Sequence, residues 1–75
     1  MTSEKIIDYR ETDDFSLTIS ECRNNGDFIR GWIIELFEKN PDGNFTIYRK
    51  LFASKDEAIE QFNHLKKTYA LYMSY

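Results

Sequence analysis

The chain has 75 residues, a length that fits one domain over residues 1–75 with a small core. Aromatic residues make up 16% of it, which excludes a disordered chain, and no apolar run approaches the ~20 residues needed to span a membrane. The formal net charge is -3, and residues 1–27 carry seven acidic against three basic side chains. Repulsion from phosphate therefore disfavours generic nucleic-acid binding.

Two β-strands are predicted in the first third of the chain. Residues 5–10 alternate between faces, and residues 15–22 do so most clearly, with large apolar and small polar side chains in turn. The polar residues 11–14 between them suit a turn. The pair Asn25-Gly26 then favours a tight hairpin turn, because it tolerates the positive φ angles that such a turn requires.

A second hairpin follows, with strands predicted over residues 28–38 and 45–52. Pro41 and Gly43 lie between them, and both have the backbone preferences of a turn. Gly31 within the third strand indicates a bulge or a close backbone approach.

A helix is predicted to begin at Ser54 and to extend to about Leu71. Ser54 and Glu57 have the spacing of a capping box, in which each side chain accepts a hydrogen bond from the other residue's amide. Apolar residues then recur at helical spacing, which predicts one buried stripe: Ala58, Phe62, Leu65, Tyr69 and Tyr72. The predicted fold is α+β, a four-stranded antiparallel meander with one C-terminal helix packed on one face (ββββα).

The hairpin of the third and fourth strands is apolar on both faces, whereas a single helix covers only one. The face predicted to pack against the helix holds Trp32, Ile34, Leu36, Phe45, Ile47 and Leu51. The second face is then predicted to hold Ile33, Phe37, Tyr48 and Phe52, rimmed by Glu35 and Lys50. A large uncovered apolar patch indicates an interaction surface. Coverage of this face by sheet curvature or by the C-terminal tail is the alternative.

No catalytic constellation emerges, so we expect no enzyme, no cofactor and no metal site. Cys22 and His64 are the single cysteine and histidine, and they are distant in sequence. Cys22 has no partner for an internal disulfide, and no basic stretch followed by an apolar core opens the sequence. Both observations favour a cytoplasmic protein.

The first functional hypothesis is a small non-enzymatic protein-binding module that takes a protein partner or a second copy of itself. A sharper version is an acidic inhibitor of a nucleic-acid-binding protein, since small proteins of phages and mobile elements share this size and character. Its carboxylates would stand where phosphates dock. The predicted partner-binding residues are Ile33, Phe37, Tyr48, Leu71, Tyr75, Asp13 and Asp14.

Single-stranded nucleic-acid binding on an aromatic and basic sheet face is the alternative. Tyr48, Phe37 and Phe52 would stack on bases. The phosphate contacts would come from four basic residues: Arg30, Lys39, Arg49 and Lys50. The acidic total makes direct nucleic-acid binding the less favoured of the two hypotheses.

Overall fold

Each strand of the protein pairs antiparallel with the next strand in the chain. The structure is a computed structural model that describes residues 2–24 and 28–71. The four strands form one sheet in the order β1-β2-β3-β4, and a single helix packs against it. The elements are β1 (Thr2–Glu11), β2 (Phe15–Asn24), β3 (Phe28–Glu38), β4 (Phe45–Phe52) and α1 (Lys55–Thr68). The predicted ββββα fold is confirmed. The Asn25-Gly26 turn, Tyr72 and Tyr75 lie outside the described residues.

The core lies between α1 and the two central strands, because their large apolar side chains share one face of the sheet. Leu17 is paired with Leu36, and Ile19 with Ile34, so four aliphatic side chains meet the helix. The predicted helical stripe is confirmed for its first three members, which are buried against them. The buried cluster comprises Leu17, Ile19, Ile34, Leu36, Ala58, Phe62, Leu65 and Leu71, with Trp32 packed at its margin.

The predicted facing of β4 is wrong. Tyr48 lies opposite Leu36 and Phe52 opposite Trp32, so both rings pack against the core. Conversely, Ile47 and Leu51 are 44% and 46% exposed. Phe45, also assigned to the core from the sequence, is 68% exposed. A register shift between Leu36 and Phe37 interrupts the β3–β4 ladder, and alternation counted along β4 alone does not fix which face is inward.

Gly31 occupies a position with no room for a side chain, as its place in the third strand predicts. The β2–β3 register shifts beside its partner Cys22, which marks a bulge. A Cβ atom built on Gly31 would lie 2.4 Å from the carbonyl oxygen of Phe52. Glycine therefore permits β3 and the end of β4 to approach this closely.

The helix begins where predicted, with half of the capping box formed. Ser54 has an extended backbone, and its Oγ accepts a hydrogen bond from the Glu57 amide at 3.4 Å. Among the described residues, the Glu57 carboxylate makes no return bond to the Ser54 amide. Asp56 and Glu57 still place negative charge in the first turn, where the helix dipole favours it.

The helix ends earlier than predicted, at Thr68, because the chain reverses at Ala70. Ala70 has φ 55°, and the amide of Leu71 donates back to the carbonyl of Lys66 at 2.7 Å. The Ala70 amide donates to the Lys67 carbonyl at 3.3 Å, which completes a Schellman motif. This reversal turns the side chain of Leu71 into the core, where it is fully buried.

Candidate protein-binding face

The sheet face opposite α1 is called the open face, because no helix or strand of the described residues packs on it. Pairing places Ser20 between Ile6 and Ile33, and Ile33 opposite Leu51, so this row crosses all four strands. Strand alternation and pairing assign side chains of all four strands to the open face, including Glu4, Ile6, Tyr9, Glu11, Ser16, Thr18, Ser20, Cys22, Ile33, Glu35, Phe37, Thr46, Arg49 and Leu51.

The open face has small side chains along its centre and exposed apolar side chains along both edges. Ser16 and Ser20 on the central strand β2 are small and buried. On the edge strands, Ile6 is 61% exposed and Leu51 is 46% exposed. Exposed aliphatic side chains on either side of a polar floor form a surface against which another molecule can lose water contacts.

A pocket of about 200 Å³ lies on the open face. Gly31, opposite Cys22, contributes no side chain beside it. Small-molecule sites usually measure about 300–1,000 Å³, so this pocket matches a single side chain better than a cofactor or a metabolite. Its lining residues are Glu4, Cys22, Arg30, Ile33, Arg49 and Leu51.

Several charges of the open face are neutralised within it. Arg49 Nε lies 3.3 Å from Glu35 Oε2, and Lys39 Nζ pairs with Glu11 Oε1. Glu11 also accepts a hydrogen bond from the Tyr9 hydroxyl at 2.7 Å. These pairs are half-exposed, so they contribute little to stability, but they occupy two of the basic groups that phosphate would need.

Cys22 is the buried thiol at the floor of the pocket. Its Sγ lies 4.0 Å from Glu4 Oε1. Burial raises the pKa of the Cys22 thiol above its ordinary value of 9.0, and the Glu4 carboxylate raises this pKa further, against the opposing effect of Arg30 and Arg49. The thiol is therefore protonated at neutral pH, which suits a packing residue and not a nucleophile.

An acidic end is formed by two turn segments, residues 11–14 and 38–44, at the same end of the sheet. The Lys39 amide donates to the Asp14 carbonyl at 2.7 Å and joins the two segments. Together the segments hold one lysine, Lys39, and five carboxylates: Glu11, Asp13, Asp14, Glu38 and Asp42. All but Glu11 of these carboxylates are exposed, so the acidic end presents negative charge to solvent.

The structure separates the predicted partner-binding residues into different environments. Ile33 and Phe37 lie on the open face, whereas Tyr48 packs against the core on the other side. Leu71 is fully buried and offers no surface to a partner. The assignments of Tyr48 and Leu71 to a binding surface are corrected accordingly. Asp13 and Asp14 are exposed at the acidic end, and Tyr75 lies outside the described residues.

The residues considered for single-stranded nucleic acid are divided between two faces. Phe37 lies on the open face, but Tyr48 and Phe52 pack on the core side. Lys50 is also on that side, with its Nζ 5.1 Å from the centre of the Phe52 ring. Arg49 faces the other way and pairs with Glu35. Aromatic and basic side chains therefore do not form one stacking platform of the kind that single strands use.

Two residues of the open face were not predicted as partner-binding residues from the sequence. Ile6 and Leu51 supply its exposed apolar edges. The sequence pattern predicts Ile6 on one face of the first strand with Ile7 and Tyr9 on the other, and it predicts Leu51 in the core. The pairing of Ile6 with Ser20 and of Leu51 with Ile33 is the information that places them, and it is absent from the local alternation.

Residues 2–24 and 28–71 contain no group of three histidine, cysteine or carboxylate side chains that could hold a metal ion. His64, the single histidine, is exposed on α1. In the same described part of the chain, no helix is long and apolar enough to cross a membrane.

The open face and the acidic end are the candidate interaction surfaces of the described residues. No protein-family model matches the sequence. No curated protein and no solved structure shows significant similarity to it.

Proposed function

We propose that the protein is a non-enzymatic module that binds another protein through its open face. The observation that carries this proposal is the exposure of Ile6 and Leu51 on a sheet face without a covering element among the described residues. Phe37 on β3 is half-buried and adds apolar area to this face, whereas Ile33 is buried beneath it. Exposed apolar side chains along both edges of one sheet face are a feature of interaction sites on small proteins.

The acidic end supports a sharper form of the proposal, in which the partner is a nucleic-acid-binding protein and this chain inhibits it. Asp13, Asp14, Glu38 and Asp42 are exposed together at the two linked turns. Carboxylates grouped in this way complement a basic surface that otherwise takes phosphate. Inhibitors of this kind occur among small phage and mobile-element proteins, and they need no catalytic group.

Affinity capture from a lysate of the native host tests the open face. The immobilised wild type is compared with a variant carrying Ile6→Ser and Leu51→Ser, and with Ile59→Ser as the matched control. Ile59 is 39% exposed on α1, away from the sheet. We expect the partner to be retained by the wild type and the control and lost by the double variant. Equal retention by all three proteins contradicts the proposal, and so does the capture of nucleic acid alone.

The inhibitor hypothesis is tested on the captured partner by charge reversal. Asp13→Lys with Asp14→Lys should weaken binding and reduce its dependence on salt, since screened attraction between opposite charges is lost. Glu60→Lys, at an exposed position of α1, is the control. An oligonucleotide ligand of the partner should compete with the wild-type protein. A ternary complex of the three molecules contradicts the inhibitor hypothesis.

Two measurements on the isolated protein separate the other hypotheses. A dimer that dissociates in the Ile6→Ser, Leu51→Ser variant would identify a second copy of the chain as the molecule on the open face. Tight binding of an oligonucleotide at physiological salt would favour the nucleic-acid hypothesis. In that case Arg49→Ala and Lys50→Ala should reduce the slope of affinity against salt.

A further inference from the structure

We propose that the pocket of the open face receives a glutamate or aspartate side chain of the protein partner, held by the guanidinium groups of Arg30 and Arg49. This inference rests on the proposed function and names the chemistry of the partner at one position. The pocket contains a positively charged group without a counter-ion, a second one with free donors, and an apolar wall.

Arg30 is the first of these groups. It is the residue omitted from the β2–β3 pairing at the bulge, where Cys22 pairs with Gly31 and Arg23 with Ile29. Its side chain lines the pocket, is exposed, and makes no ion pair with any described residue. A bulge commonly redirects a side chain in this way, and an unpaired guanidinium beside a pocket attracts an anionic group.

Arg49 is the second group, and its pairing leaves most of its donors free. Its Nε lies 3.3 Å from Glu35 Oε2, and the side chain is more than half exposed, so its terminal nitrogens can reach a second carboxylate. Guanidinium groups bind carboxylates through pairs of parallel N–H donors. Arg30 and Arg49 line the same pocket from neighbouring strands, and together they can hold one carboxylate.

The remaining lining favours a carboxylate on a short apolar stem over a phosphate group. Ile33 and Leu51 form the apolar wall, which suits the methylene groups of a glutamate or an aspartate. Glu4 also lines the pocket, and Glu35 is paired with Arg49, so both repel an entering anion, and they repel a doubly charged phosphate more strongly than a singly charged carboxylate. The volume of about 200 Å³ accommodates one side chain.

NMR titration of the isotope-labelled protein with blocked amino acids tests the chemistry of the pocket directly. The probes are N-acetyl-glutamate amide, the neutral N-acetyl-glutamine amide, and phosphoserine blocked in the same way. We expect the glutamate probe at millimolar concentration to shift the amide signals of Gly31, Ile33 and Leu51 and the Nε signals of both arginines. The glutamine probe should leave these signals unchanged.

Variants assign the effect to the two arginines. Arg30→Gln and Arg49→Gln should each weaken the glutamate shifts by about tenfold, since each removes a charge-assisted hydrogen bond. Lys67→Gln removes the same charge from an exposed position of α1 and should have no effect. Equal shifts with glutamine, shifts confined to other residues, or tighter binding of phosphoserine each overturn the inference.

Capture of the partner distinguishes this inference from the proposed function. If the Ile6→Ser, Leu51→Ser variant loses the partner while Arg30→Gln and Arg49→Gln retain it with wild-type affinity, the open face binds the partner and the carboxylate pocket is wrong. If the glutamate probe binds as expected but no protein depends on the open face, the pocket is supported as a carboxylate site and the proposed function is wrong.

Discussion

The ring of Phe15 meets the ring of Tyr69 edge to face, with centroids 4.9 Å apart and planes inclined by 61°. Phe15 opens β2, and Tyr69 is the C-cap residue of α1, so this contact joins the end of the helix to the start of a central strand. Leu71 is buried just beyond it. The helix is therefore held at its end by an aromatic pair and an aliphatic anchor.

Ala70→Gly should stabilise the protein by about 0.5–1 kcal/mol. The left-handed conformation costs an alanine about 1–2 kcal/mol, and glycine avoids this cost while losing part of the gain to its more flexible unfolded state. Ala70 has φ 55°, the one positive value among described residues other than glycine. Urea denaturation measures the change, with Ala53→Gly as the control. A lower midpoint for Ala70→Gly than for the wild type contradicts the prediction.

Ser54→Ala should destabilise the protein by about 1 kcal/mol, because the Glu57 amide loses the oxygen that accepts its hydrogen bond. Ser54→Asp supplies another capping oxygen and should retain most of the stability. Thermal unfolding of the three proteins compares them. Equal melting temperatures for all three proteins would show that the cap contributes nothing measurable to stability.

Phe62→Ala should cost about 3–5 kcal/mol, the range for removing a buried aromatic ring. Phe62 is 3% exposed at the centre of the helix-facing core, and so small a domain has little stability to lose. Ile59→Ala, on the exposed side of the same helix, is the control and should cost far less. Circular dichroism under increasing urea measures both. A folded Phe62→Ala variant with an unchanged midpoint would place this ring outside the core.

Gly31→Ala should destabilise the protein by about 1–3 kcal/mol more than Gly43→Ala, through forced movement of packed backbone. The new Cβ would meet the Phe52 carbonyl oxygen at 2.4 Å and Leu51 Cδ1 at 3.0 Å. Gly43 has φ 130° with nothing within 4 Å of an added Cβ, so its substitution changes backbone strain alone. Differential scanning calorimetry distinguishes the two, and equal losses would exclude a steric role for Gly31.

Cys22 should react slowly with iodoacetamide at neutral pH, and the folded protein should lose stability as the pH rises above 9.0. Burial raises the pKa of the folded thiol, so the unfolded chain releases this proton first, and its free energy falls relative to that of the folded state. The loss begins near the unfolded pKa of 9.0 and continues to the higher folded pKa. Cys22→Ser should show a smaller loss over the same range. Identical pH profiles would contradict the assignment.

The architecture could be predicted from local patterns, because alternation identifies β2, Pro41 and Gly43 identify a turn, and the Ser54 cap with its apolar stripe identifies the helix. The face of β4 that packs against the helix could not be predicted in this way. Tyr48 and Leu51 are both apolar and lie on opposite faces, so only pairing with β3 identifies which of them meets the helix. The chain reversal at Ala70 could not be predicted either, because alanine is a good helix former and does not indicate the end of a helix.

The candidate site was predicted in part for the same reason. Ile33 and Phe37 follow from alternation in β3, and Asp13 and Asp14 follow from the polar turn. Glu38 and Asp42 join the acidic end only because the meander brings the first and third turns to one end of the sheet, where Lys39 bonds to Asp14. The spacing of residues along the chain does not predict tertiary proximity of this kind.

The order of the elements also sets the course of folding during synthesis. Each strand pairs with its neighbour in the chain, so hairpins close over short loops and the sheet forms quickly. The helix is synthesised after all four strands, and until it forms Leu17, Ile34 and Leu36 have no cover. For that interval the helix-facing core is exposed to solvent, and we expect a nascent chain arrested before residue 55 to aggregate more readily than the folded protein.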